Sequence, residues 1–268
     1  MGARAKLTIA YLGGSFSGWQ RQDNARTVQG DLERGLAKLT DGHHVAVVGA
    51  GRTDAGVHAA GQVAHVDLPT AIPVDVLPRT LNQRLGSDLR VRAAVTVSGG
   101  FHARRSARGK HYVYRILWRE PELPWLGTRA AVFPPPSEPR TLELACRRLP
   151  GRRDWASFTV TDVAHRSTIR SLFRTEVVWR RTGLELHFFG EGFLRYQVRR
   201  MAGALLELGS GRMSTRRFAD LLARPSPGAP VPTAPARCLT LEYVYYRSIY
   251  KLTLPARPKG REEDSSLW

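Results

Sequence analysis

The 268-residue chain carries 41 Lys+Arg against 23 Asp+Glu, a formal net charge of +18 and a sequence pI near 11.0. Its hydrophobic fraction of 42% fits a globular protein with room for one large domain or two modest ones, and no apolar run approaches the roughly 20 residues of a membrane-spanning helix. The basic excess is spread from Arg21 to Arg217 among Trp, Tyr and Phe, a mixture that suits looped or single-stranded RNA better than a merely solvated basic face.

The N-terminus, MGARAKLTIAYLGG, lacks the long apolar core of a signal peptide, so a cytoplasmic protein is expected. In chain order, Lys6 to Tyr11 reads as a strand and residues 27–39 as a helix capped by Thr27. His44 to Val48 is β-branched and reads as a strand, followed by a glycine-rich stretch, a strand over Gln62 to Leu68, a helix over Val74 to Leu85 and a strand over Leu89 to Val97. Tyr112 to Trp118 reads as a strand opening the second half, and the proline-rich segment 121–139 as a loop. A helix over Thr141 to Leu149, strands over Ile169 to Arg180 and Leu184 to Phe189, helices over Phe193 to Leu208 and Thr215 to Ala223, and a final strand over Leu239 to Tyr246 complete the pattern. The pattern predicts an α+β fold: two halves, 1–108 and 109–250, with antiparallel sheets joined side by side around a central cleft, then a polar tail over 251–268. Cys146 and Cys238 share no metal-ligand spacing and are expected to be buried thiols.

The segment GAGRTDAGVH, residues 49–58, puts three glycines within eight residues straight after an apolar stretch. Such backbone is sharply bent and closely approached, yet it lacks the Lys-Ser/Thr ending of a phosphate-binding loop. Its lone carboxylate, Asp54, has Arg52 two residues before it. In positive surroundings an ionised Asp54 could serve as nucleophile or base; equally, it could cap a turn. The residues of this loop leave the two readings open.

GAGRTDAGVHA resembles the signature of the tRNA pseudouridine synthase A (TruA) family. YLGGSFSGWQRQ (11–22) with TVQG (27–30), FHARRSARGKHYVYRI (101–116), DWASF (154–158) and FLRYQVRRMAGALLELGSGR (193–212) are similar to further family segments in the same order. The resemblance spans roughly residues 5 to 246 and implies the pseudouridine synthase fold, with Asp54 as catalytic nucleophile.

The resemblance also implies that Tyr112 stacks beneath the target uracil, while Tyr114 on the same strand face packs the sheet. It makes Arg199 the partner of Asp54, holding the carboxylate's pKa down by about 1–3 units if they pair closely. Helical spacing from Phe193 would set Arg195 beside Arg199, facing phosphate or solvent. Arg52 is expected at RNA phosphate or in base flipping. His58 and His102 have no partner acid in sequence and read as structural or phosphate-facing. Leu12, Gln197, Arg200 and Cys238 depart from the family's usual residues.

By the same resemblance, the expected reaction is isomerisation of uridine on the 3′ side of the tRNA anticodon stem-loop, by a homodimer with one tRNA lying across both subunits. The reaction is redox-neutral, so neither metal nor cofactor is expected. A noncatalytic RNA-binding module could share the basic, aromatic surface, though it has no use for a carboxylate that repels phosphate. A hydrolase releasing uracil would need a second acid to activate water, and the loop shows none.

Overall fold

The computed structural model describes residues 2–69, 72–119, 127–160 and 167–247. Strict alternation builds the first strand, β1 (Arg4–Tyr11), which buries Ala5, Leu7, Ile9 and Tyr11. Thr27 closes an extended stretch, and its hydroxyl accepts the Gly30 N–H at 3.3 Å to start α1 (Val28–Ala37). Val28, Leu32 and Leu36 then recur at helical spacing and are fully buried. Each such side chain contributes about 1.5–3 kcal/mol by leaving water.

The expected strand over His44 to Val48 is not formed; only β2 (Val48–Gly49) pairs, with β3 (His58–Asp67). Val45 and Val47 are still buried, but Val47 finds its backbone partners on α1. Its N–H donates to Glu33 Oε1 at 3.2 Å, and its carbonyl accepts from Gln29 Nε2 at 3.1 Å. Buried polar backbone must be satisfied somewhere, and here helix side chains replace a neighbouring strand.

The expected helix from Val74 opens as a 3-10 turn over Val74–Val76 and becomes α2 (Leu77–Asn82). Pro78 falls in its first turn, where a missing N–H is harmless. β4 (Leu89–Val97) and β5 (Gly109–Leu117) come next. Within the proline-rich stretch read as a loop, residues 120–126 lie outside the described residues, and β6 (Ala131–Val132) pairs with β5. The second half continues with α3 (Pro139–Arg147), β7 (Gly151–Asp154), β8 (Ile169–Arg180), β9 (Gly183–Gly190), α4 (Gln197–Gly209), α5 (Thr215–Ala223) and β10 (Leu239–Tyr245). The expected tail, 251–268, lies outside the described residues.

The strands of the described residues form one mainly antiparallel sheet in the order β4-β1-β3-β10-β5-β9-β8-β7, with β2 beside β3 and β6 beside β5. The α+β architecture is therefore as expected. The last strand lies between the N-terminal β3, which it joins in parallel, and β5, which it joins antiparallel. This seam brings the loop before β3 next to a strand from the other half of the chain. No helix among the described residues is long and apolar enough to cross a membrane.

Candidate active site

The glycine-rich loop between β2 and β3 is held from beneath by the opening segment. The Tyr11 hydroxyl and Thr53 Oγ1 lie 2.8 Å apart, and the Trp19 N–H donates to the Thr53 carbonyl at 3.1 Å. Gly13 N–H donates to His58 Nδ1 at 3.1 Å, and a Cβ on Gly13 would collide with the Val57 carbonyl. Within the loop, Val57 N–H donates to the Asp54 carbonyl at 3.1 Å, closing a turn in which Gly56 takes φ +81°. Gln62 Nε2 donates to the Gly51 carbonyl at 3.0 Å, tying the loop to β3.

The result leaves the Asp54 side chain partly open, 25% exposed, and aimed at α4. Arg199 Nη1 lies 3.7 Å from Asp54 Oδ2, an ion pair slightly longer than a hydrogen bond. The Arg199 guanidinium is aimed by two contacts. Its Nε donates to the Ala234 carbonyl at 2.8 Å, and its Cζ sits 4.9 Å from the Tyr196 ring centroid.

The expected helix from Phe193 begins only at Gln197, because Tyr196 adopts the left-handed conformation at φ 61°, ψ 0°. Arg195 consequently lies outside the helix and does not share a helical face with Arg199. Its Cζ instead stands 4.9 Å from the same Tyr196 ring, so both arginines lie against one tyrosine.

Burial raises the Asp54 pKa above the ordinary carboxylate value, and the charges of Arg199 and Arg195 oppose that rise. The expectation of a net depressed pKa is thereby corrected. Arg199 acts in the expected sense, but a contact of 3.7 Å does not outweigh desolvation.

Tyr112 enters from β5. It is buried among Leu241 and Phe188, its register partners, and Phe193, whose ring meets it edge-on at 5.3 Å between centroids. Burial first, then Tyr11 and Asp54, pushes its phenol pKa up, which keeps the hydroxyl neutral. Tyr114 is fully buried, as a packing tyrosine should be. Arg52 is exposed on the loop and makes no ion pair or side-chain hydrogen bond among the described residues.

His58 is buried beneath the loop. Burial, with Arg129 next, lowers its pKa and keeps Nδ1 free to accept from Gly13. His102 organises the loop before β5: its Nδ1 accepts the N–H groups of Arg104 and Arg105, each at 3.2 Å.

The departures from family pattern find local uses. Gln197 Oε1 accepts the Leu194 N–H at 2.8 Å, closing the turn before α4. Arg200, only 6% exposed, donates to the carbonyls of Val231, Thr159 and Ala229 at 3.2, 2.6 and 2.7 Å. Cys238 is fully buried beside Tyr114, and both cysteines are free thiols as expected. Leu12 sends its N–H to the Asp88 carbonyl at 2.9 Å.

Sequence reasoning missed Tyr196 altogether. Its only signal was an aromatic flanked by arginines at the mouth of a helical pattern.

Comparison with known proteins adds independent information. A family model described as tRNA pseudouridine synthase matches residues 7–104 and 145–247. The chain is 39% identical to the tRNA pseudouridine synthase A of Myxococcus xanthus, over 97% of this chain and 98% of that protein. It is 38% identical to the protein of that name from Geobacillus kaustophilus strain HTA426, over 92% and 95% of the two chains. The figure for Latilactobacillus sakei subsp. sakei strain 23K is 36%, over 92% of this chain and all of that protein.

Proposed function

The chain belongs to the tRNA pseudouridine synthase family, enzymes that isomerise uridine in tRNA, and we propose that it acts on the 3′ side of the anticodon stem-loop with Asp54 as its nucleophile. The observation that carries this reading is the convergence of three separate chain segments. Asp54 faces Arg199 at 3.7 Å, and Asp54 also acts electrostatically on the buried Tyr112.

Pseudouridine formation breaks the bond between ribose C1′ and uracil N1, turns the base and joins C1′ to C5. N1 gains a proton and C5 gives one up, so the atoms balance without any external reactant. Asp54 in its ionised form attacks an electrophilic carbon of the nucleotide, which divides one difficult substitution into two easier steps. Ionisation is opposed by burial and favoured by Arg199 and Arg195, so the arginines set the fraction of enzyme that is ready to react.

Tyr112 and the edge-on Phe193 offer an aromatic floor for the detached uracil, which must stay bound while it turns. Stacking of that kind is worth about 1–3 kcal/mol per base. Exposed Arg52, on the loop just beyond β2, is free to enter the RNA and take the place of the extruded base or to meet its phosphate. The reading includes a homodimer working in the cytoplasm, with one tRNA across both subunits; the distribution of basic residues along the whole chain agrees with an extended contact to RNA.

Digestion of reacted, unmodified tRNA to nucleosides tests the proposal. Pseudouridine confined to the 3′ side of the anticodon arm is expected. Free uracil with an abasic site would replace the isomerase by a hydrolase, and pseudouridine elsewhere in the tRNA would overturn the assigned position.

A further inference from the structure

Lys110 stands on β5 two residues before Tyr112, on the same face of the strand and about 7 Å along it. Its amine reaches under the catalytic loop: a Cβ on Gly51 would lie 2.5 Å from Lys110 Nζ, so the absence of a side chain there makes room for the ammonium. The residue is half-buried, yet among the described residues no carboxylate pairs with it. Two half-buried arginines elsewhere on the sheet are matched. Arg4 bonds Asp67, and Arg115 pairs with Glu185 and Glu242.

The charges that act on Lys110 are also positive. Arg170 is placed by the sheet register: Lys110 pairs with Gly190, Gly190 with Leu172, and Arg170 lies two residues along β8 from Leu172. Arg104 comes from the exposed loop before β5. Burial, then Arg104 and Arg170, lowers the Lys110 pKa to about 8. A desolvated cation flanked by two more and lacking a counterion is costly, and an anion at this spot removes the cost.

We propose that Lys110, Arg104 and Arg170 form a seat for one RNA phosphate beside the nucleotide presented to Asp54. The inference rests on the catalytic reading above and extends it. The seat faces the same strand surface as Tyr112 and touches the loop bearing Arg52 and Asp54, so a phosphate held there fixes the backbone of the nucleotide being isomerised. Two of its three cations come from separate strands of the sheet, and the third from the loop between the halves, so the seat exists only in the folded chain.

The test is binding of unmodified tRNA to the full-length protein across a salt titration, for wild type, Lys110→Met, Arg104→Gln, Arg170→Gln and their pairwise combinations. Lys110→Met nearly keeps the length of the side chain and removes its charge. Loss of one phosphate contact lowers the slope of log K against log salt by about one and weakens binding by about 3- to 10-fold at moderate salt. Because all three cations serve one phosphate, the double variants should lose less than the sum of the singles. In steady-state kinetics Lys110→Met lowers kcat/KM, because the seat both binds the RNA and holds the reacting nucleotide in place.

A thermal melt checks folding of each variant. Should Lys110→Met not fold, Arg104→Gln and Arg170→Gln, both altered at the rim, decide the matter through the same slope. Slopes equal to wild type in the folded variants sink the phosphate seat. Wild-type pseudouridine formation is measured on the same tRNA, so an inactive wild type sinks the catalytic reading separately.

Discussion

Buried neutral hydrogen bonds hold the Asp54 loop, whereas the segment carrying Arg199 hangs on one left-handed tyrosine and a set of backbone carbonyls. The loop side uses Tyr11, Gly13 and Trp19 to grip Thr53, Val57 and His58, all of them buried. The arginine side uses Tyr196 as a ring between two guanidiniums, and Arg200 as a tie from α4 to Thr159, Ala229 and Val231. A left-handed non-glycine residue costs about 1–2 kcal/mol, so the fold accepts strain at Tyr196 where it aims arginines at a carboxylate. Asp54 is thus fixed by shape and its ionisation by charge, on different parts of the chain.

Neighbouring arginines on α4 sharpen the point most strongly. Arg200→Met would remove three charge-assisted hydrogen bonds from the interior, although the Ala229 carbonyl would keep the Val231 N–H at 2.8 Å, and is expected to cost about 3 kcal/mol in denaturant unfolding. A loss below about 1 kcal/mol would mean that water or relaxation replaces those bonds, and that the arginine side is not tied as described.

Arg199→Met comes next. It should fold normally but lower kcat/KM by about 10²-fold, the usual cost of removing a positioned charge from an active site. Burial already raises the Asp54 pKa, so removing the opposing arginine moves the acid limb of the pH–rate profile further upward. An acid limb that stays in place would break the link between Arg199 and the ionisation of Asp54.

Smaller effects are expected on the loop side. Tyr11→Phe removes one buried hydrogen bond to Thr53 and should cost about 1 kcal/mol of stability, with the position of the acid limb unchanged. A shifted acid limb would show that shape and charge are not separable here. Asp54 itself gives the last effect. The folded protein holds the Asp54 proton more tightly than the unfolded chain, so the stability tied to this group falls as pH climbs from the ordinary carboxylate range through the raised value. Asp54→Asn should therefore be at least as stable as wild type at neutral pH, and a melting temperature below wild type would count against the raised pKa.

Much of this was legible in the sequence where local pattern and burial agree. Alternation in β1, the Thr27 cap of α1 and the glycine-rich loop each declare themselves in consecutive residues. What stayed hidden depends on residues far apart. His44 to Val48 reads as a strand because Val45 and Val47 are apolar and buried, but the backbone partners of Val47 are on α1, which sequence periodicity does not report. Similarly, Phe193 to Leu208 keeps a helical spacing through residues that are not helical, since Tyr196 breaks the turn to present its ring to Arg195 and Arg199. The placement of β10 between β3 and β5 decides which segments meet at the site, and it leaves no mark in any short stretch of chain.

The most direct test of Asp54 as nucleophile uses unmodified tRNA tritiated at uridine C5, incubated with wild type and with Asp54→Asn under conditions where both bind. Wild type is expected to release tritium as C5 is joined to C1′, and Asp54→Asn, folded and bound, is expected to release none above background. Release by Asp54→Asn at a rate near wild type would contradict the assignment and leave the carboxylate as a structural element of its loop.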